Sequence, residues 1–174
     1  MKSSEISIRR LAPADALAYR ALRLRGLTEH PEAFTSSADA EAAKPLAATE
    51  ARLAPEGPDA LFGAFVDGAL AGVVGLSREP REKSRHKAKV IGMYVAPEFA
   101  RRGIGRSLVR HVIAEAAREP GLEQLVLTVT HSNERARLLY ESEGFRSFGI
   151  EPRALRVGER CYDKNHMVRF LAPA

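Results

Sequence analysis

The chain has 174 residues, 45% of them hydrophobic and 28% charged, a balance that suits one folded domain and excludes a disordered or membrane-embedded chain. No run approaches the ~18 apolar residues of a bilayer span, and Cys161 stands alone, so no internal disulfide can form. The opening MKSSEISIRRL reaches strand-like alternation without an apolar leader stretch, which makes the cytoplasm the default location, and the net charge of +5 favours an anionic partner: a nucleic acid, a phosphorylated cofactor or an acidic substrate.

EISIRRL alternates apolar and polar side chains and predicts a first strand. In APADALAYRALRLRGLTEHPEAF, Leu17, Ala21, Leu24 and Leu27 recur at helical spacing behind Pro13, and Pro31 ends the helix. Residues 36–54, Ala-rich and polar, predict a second helix broken near Pro45. Two apolar runs in DALFGAFVDGALAGVVGLS flank Asp67-Gly68, a hairpin signal because the favoured tight turn needs positive φ. SREPREKSRHKAKV mixes acids and bases without aromatics and reads as a solvated loop; with no stacking rings and no basic recognition helix, no nucleic acid is expected as partner.

KAKVIGMYVAPEF is a further strand, stopped by Pro97. From Ile104 the period becomes helical: Ile104, Leu108, Val112 and Ala116 form one stripe with Val109 and Ile113 beside it, up to Pro120-Gly121. LEQLVLTVTH is a β-branched strand, and SNERARLLYESEGF a short helix closed by Gly144. Two last strands are expected around residues 146–150 and 161–171. The order β-α-α-β-β-β-α-β-α-β-β implies one mixed sheet with helices on its faces.

The stretch EFARRGIGRSLVRHV places two glycines among arginines at the mouth of a helix. Unpaired N–H groups, the helix dipole and the side chains of Arg101, Arg102 and Arg106 would together favour a pyrophosphate. The alternative is a plain turn. No Gly-Lys-Ser/Thr follows as in a Walker motif, and the full Gly-x-Gly-x-x-Gly is missing, so the stretch alone leaves both readings open.

VIGMYVAPEFARRGIGRSLV followed by LTVTHSNERARLLYESEGF resembles the GCN5-related N-acetyltransferase (GNAT) family over essentially the whole chain. The acyl-CoA motif Gln/Arg-x-x-Gly-x-Gly/Ala is matched at Gly103 and Gly105, with Ala100 in place of the usual Gln or Arg. A second motif is intact at Asn133, Ala136, Tyr140, Gly144 and Phe145. The resemblance implies an α/β (mixed α+β) fold: a single central mixed, mostly antiparallel sheet of six or seven strands flanked by about four helices. Residues 1–174 would form a single N-acetyltransferase domain, core about 5–171.

It also implies acetyl-CoA as cosubstrate, with no metal, and an amine acceptor, in a monomer or homodimer without membrane contact. Met93, Tyr94 and Val95 would line the pantetheine arm, which adds to the sheet like a strand. Arg101, Arg102, Gly103, Ile104, Gly105, Arg106 and Ser107 would hold the pyrophosphate. Asn133 would reach the pantetheine, or cap its helix, or both, with Ala136 and Arg137 nearby. Tyr140 would protonate the departing thiolate; outside the family its ring reads as core packing.

The acceptor must be neutral to attack. At pH 7 only about 1 in 2500 lysine side chains is, against roughly 1 in 10 α-amines. Lys89 stands where some relatives carry a glutamate base, leaving Glu98, Glu79, His86 and Glu151 as substitutes. Phe34, Thr35, Glu98 and Arg153 are candidate acceptor contacts, with ordinary loop and strand packing as the competing reading. A non-catalytic acyl-CoA-binding regulatory module is the competing function.

Overall fold

The computed structural model describes residues 6–57 and 59–171, so Glu5 of the expected first strand and both ends of the expected domain lie outside the described residues. The Asp67-Gly68 turn takes positive φ at both positions, 49° and 83°, and joins β2 (Asp59–Val66) to β3 (Ala69–Arg78) in antiparallel register. β1 (Ile6–Arg10) pairs with the outer side of β2, and β4 (Lys87–Val95) with β3. The helix α4 (Ile104–Arg118) then carries the chain across to β5 (Gln124–Thr130), which runs parallel to β4. A parallel neighbour needs such a crossover. β6 (Arg146–Val157) and β7 (Arg160–Phe170) complete a sheet of order β1-β2-β3-β4-β5-β7-β6, antiparallel at every other pairing.

The remaining helices are α1 (Ala16–Glu29), α2 (Ala38–Ala42), α3 (Leu46–Leu53) and α5 (Glu134–Ser142). Pro45 splits the Ala-rich segment as expected: Ser37 Oγ caps α2, and Pro45 itself takes the extended N-cap conformation of α3. The five described helices thus exceed the expected four by that one division.

Each face of the sheet has its own core. Ile104, Leu108, Val109, Val112 and Ala116 of α4 are all buried, packed with Phe62, Val74, Val90 and Met93. The predicted stripe therefore is the contact face. On the opposite face Ala16, Tyr19 and Leu22 of α1 and Leu53 of α3 pack on Leu61, Val73 and Tyr94. Here the expected stripe is corrected. Leu17 is 70% exposed and Ala21 is exposed, and the buried residues of α1 are Ala16, Tyr19, Leu22, Arg23, Gly26 and Leu27. Leucines lie on both sides of α1, so periodicity alone does not choose between them. Fit to the sheet does: a Cβ on Gly26 would sit 3.0 Å from the Tyr94 ring.

The strand expected at 146–150 continues to Val157. Gly149 and Pro152 interrupt its sequence pattern, but β6 is an edge strand, and its register shifts between Ser147 and Gly149 and between Glu151 and Leu155 absorb both.

Candidate active site

The parallel pairing of β4 and β5 lasts three residues, Lys87 with Gln124, Ala88 with Leu125 and Lys89 with Val126, and then the strands part. Beyond Lys89, β4 has no ladder partner on its β5 side. A bulge sharpens the divergence: Gly92, at φ 62°, and Met93 together face Val74 between the Ile91–Gly75 and Tyr94–Val73 pairs. The split opens a cleft of about 650 Å³ whose walls include Val90 to Val95 of β4 and Thr128 to Thr130 of β5. Because side chains alternate along β4, Met93 packs into the α4 core and Tyr94 into the α1/α3 core, so the cleft has walls from both faces of the sheet.

At one end stands the Gly-Ile-Gly turn. Arg101 and Gly103 both take left-handed backbone, at φ 63° and 76°. Ser107 N–H is the first amide of the turn to find a backbone acceptor, the Gly103 carbonyl; those of residues 101–106 have none among the described residues. Successive free amides in such alternating conformations form an anion-binding concavity. A Cβ on Gly103 would meet nothing within 4 Å, so the space above it is open, whereas one on Gly105 would crowd Met93 Cε at 3.3 Å. The first glycine leaves room for a ligand; the second lets α4 approach β4. Glu143 takes up part of the nearby charge, 3.3 Å from Arg106 and 2.9 Å from Arg110, while Arg101 is exposed and without a carboxylate partner among the described residues. The amide concavity, the open space and the surplus guanidinium fit a pyrophosphate.

Asn133 caps α5, its Oδ1 accepting from the Ala136 N–H at 3.1 Å, and both residues line the cleft. One turn on, Tyr140 is 7% exposed, its ring edge-on to Phe145 with centroids 5.8 Å apart. It too lines the cleft, and no described residue hydrogen-bonds its hydroxyl. Burial pushes its pKa up to about 12, so the phenol keeps its proton throughout the physiological range.

The far end of the cleft is built by the chain just after α1. His30, Ala33 and Phe34 line it, and two buried polar groups from distant strands fasten that turn. Lys164 Nζ donates to the carbonyls of Glu32 (3.1 Å) and Ala33 (3.2 Å) and to Thr130 Oγ1 (2.9 Å), and Thr130 Oγ1 donates to Glu32 O at 2.7 Å. Burial lowers the Lys164 pKa below 10.5. The unfolded chain therefore binds that proton more tightly, and this group's contribution to stability rises with pH between the lowered folded value and about 10.5. We expect the melting temperature of the parent to rise relative to Lys164→Met as pH is taken from 8 to 10; parallel curves in differential scanning calorimetry would contradict this. Beside the same wall, Tyr94 OH donates to Glu29 Oε2 at 2.5 Å, and Arg25 bridges Glu29 (2.8 Å) and Glu98 (2.7 Å); the Tyr94 hydroxyl, with Arg25, holds the Glu29 carboxyl below its usual range, and Arg25 does so for Glu98.

Of the residues expected from the sequence, Phe34, Met93, Tyr94, Val95, Arg101, Gly103, Ile104, Gly105, Arg106, Asn133, Ala136 and Tyr140 all line this one cleft. Others stand outside its lining for visible reasons. Arg102 lies over the Phe99 ring at 5.6 Å, and the Ser107 amide is spent on Gly103. Arg137 is paired along its own helix with Glu134 and Glu141. Thr35 is exposed, Glu98 is held by Arg25, and Arg153, on the edge strand, gives its amide to Asp163 Oδ1. Among the substitute bases, Glu79 is bound to Lys89 at 2.6 Å, His86 precedes the closed end of the split, and Glu151 is paired with His166; none of these lines the cleft. His30, Gly92 and Lys164 escaped the sequence reading, although a glycine inside a strand is itself a bulge signal.

Comparison with known proteins bears on the family and the fold. The [ribosomal protein bS18]-alanine N-acetyltransferase of Salmonella typhimurium is 44% identical over 64 residues, 37% of this chain and 43% of that relative, so the match spans less than half the relative's length. An acetyltransferase of the GNAT family from Streptococcus pneumoniae superposes with a TM-score of 0.85 at 25% identity, covering 97% of this chain and all of that one. A Salmonella typhimurium structure solved with its cofactor acetyl-CoA shares the fold, with a TM-score of 0.80 at 23% identity over 98% of this chain and 96% of that one. The model described as the acetyltransferase (GNAT) family matches residues 24–145, a span that contains every residue lining the cleft from His30 to Tyr140, and the chain belongs to that family.

Proposed function

We propose that the chain is a single-domain, acyl-CoA-dependent N-acetyltransferase that transfers an acetyl group from acetyl-CoA to a primary amine. One observation carries the reading: the split between β4 and β5 joins, in one cleft, an amide concavity suited to pyrophosphate and a buried, protonated tyrosine. When bound, acetyl-CoA supplies an acetyl group on a thioester whose sulfur departs as a thiol.

The chain's residues supply the rest. The free amides of residues 101–106, with Arg101 and Arg106, hold the phosphates. The unpaired edge of β4 at Met93 and Val95 receives an amide-bearing arm by strand addition, with Asn133 and Ala136 on the facing helix. Tyr140 holds a proton at its hydroxyl for the leaving sulfur, as general acid. On the α1 side, His30 is the lining side chain with a basic nitrogen to accept the proton that the amine gives up, and Tyr94 and Phe34 shape the acceptor's place. Tyr94 is not free for this, because its hydroxyl is committed to Glu29.

The test is release of free CoA thiol from acetyl-CoA in the presence of amines, amino acids, polyamines and peptides with free N-termini. Release above the protein-free control with at least one class is expected. Tight acetyl-CoA binding without thiol release for any of them would replace the enzyme with an acyl-CoA-binding regulatory module.

A further inference from the structure

No carboxylate lines the cleft among the described residues. The acidic side chains next to it are committed elsewhere. Glu29 accepts from the Tyr94 hydroxyl and is paired with Arg25, which also takes Glu98. Glu143 lies between Arg106 and Arg110, and Glu134 pairs with Arg137. Glu32 points its Oε1 toward His30 Nδ1, 3.8 Å away, outside the lining. The ionisable side chains that do line the cleft are His30, Tyr94, Tyr140, Arg101, Arg106 and Arg135. Both tyrosines keep their protons at neutral pH: burial pushes Tyr140 up to about 12, and burial with the Glu29 carboxylate pushes Tyr94 up as well. A guanidinium does not give up its proton in a protein. His30, its side chain half exposed and its ring 6.3 Å from that of Tyr94, is therefore the one lining base among the described residues.

That restricts the amine. A nitrogen attacks only after it has lost its proton. A typical imidazole is the weaker base against a lysine amine by about four pKa units, but against an α-amine by only about one and a half. With an imidazole as its one base, the cleft suits an acceptor that is already largely deprotonated in solution. Resting on the acetyltransferase reading, we infer that the acceptor is an α-amine next to an amide carbonyl, as at the free N-terminus of a peptide, and that lysine side chains and polyamines are poor acceptors. Charge points the same way. A polyamine brings further ammonium groups, and the lining meets them with arginines and no carboxylate. In the transfer, the nitrogen bonds to the acyl carbon as the C–S bond breaks. The proton shed by the nitrogen passes to His30; the sulfur takes the Tyr140 proton, which solvent replaces.

The experiment uses one short peptide that contains a single lysine, in three forms: both amines free, the N-terminus capped, and the lysine side chain capped. Spermidine serves as the polyamine. Thiol release from acetyl-CoA is followed between pH 7 and 9.5 with the parent protein, and mass spectrometry locates the acetyl group on the doubly free peptide. At pH 7 the form with only its N-terminus free is expected to exceed the form with only its lysine free by about 10- to 100-fold in kcat/KM, with the acetyl group on the N-terminus. Raising the pH to 9.5 deprotonates the lysine amine and is expected to narrow that ratio by about 20-fold, since the α-amine is already neutral above about pH 8. Equal or faster use of the lysine amine or of spermidine at pH 7 overturns the inference and leaves the transferase reading standing. A preference that stays constant from pH 7 to 9.5 comes from shape rather than basicity and overturns it too. Acetyl-CoA binding with no thiol release from any of these amines takes down the transferase reading, and the inference with it.

Discussion

Tyr140→Phe is expected to lower kcat by about 10²- to 10³-fold, which is about 3–4 kcal/mol of transition-state stabilisation, while the acetyl-CoA Kd stays within about threefold. The separation follows from how the side chain is held. Its ring carries the packing, edge-on to Phe145 in the buried core, and phenylalanine reproduces that contact. The hydroxyl has no hydrogen-bond partner among the described residues, so its removal orphans none of them and is expected to change the melting temperature little. What is lost is one proton donor in the cleft. With its pKa near 12, against about 8.5 for an ordinary thiol, the phenol never ionises at neutral pH and acts first as a hydrogen-bond donor to charge building on sulfur. Single-turnover thiol release with and without the substitution measures the effect, and a parent-like rate in the variant would remove Tyr140 from the chemistry.

Gly103→Val is expected to weaken acetyl-CoA binding by about 30-fold or more, about 2 kcal/mol, with a smaller effect on turnover at saturation. Two causes act together. Valine is among the residues least able to occupy φ 76°, so the turn that aligns the free amides is strained out of shape. Its methyls also project into space that is open in the free protein, where a phosphate oxygen would have to approach. Apart from its chain neighbours, no atom lies within 4 Å of a Cβ at this position, so the loss of affinity would come from the strained turn and the filled space rather than from contact with another element. Isothermal titration with acetyl-CoA reads the change directly; an unaltered Kd would reduce the Gly-Ile-Gly turn to a structural device.

How much of this was legible in the sequence depends on the range over which each feature is determined. The Asp67-Gly68 hairpin, the α4 stripe and the Gly144 stop are local, and the residues that cause them are adjacent in the chain. The two glycine-bearing motifs were readable for the same reason. The face that α1 buries was not, because leucines flank both sides and the choice rests on the Tyr94 ring against Gly26, a contact from another element. The parting of β4 from β5 is not set by alternation within either strand; only the family resemblance, with an arm adding to β4 like a strand, and the glycine at position 92 point to it. Lys164 fastens a turn 132 positions earlier in the chain, and Arg23 reads in sequence as one more exposed helix arginine. Its burial exists only after α1 has chosen its face.

The split in the sheet has a consequence for the order of events. The cleft takes its walls from α4 and α5 on one face and from the chain just after α1 on the other, so on the proposed reading donor and acceptor occupy different walls and neither has to leave before its partner arrives. The sole thiol, Cys161, lies on β7 outside the lining and is in no position to carry an acetyl group between them. Both substrates would therefore be held together in one ternary complex, with transfer passing directly from sulfur to nitrogen through the gap between two strands.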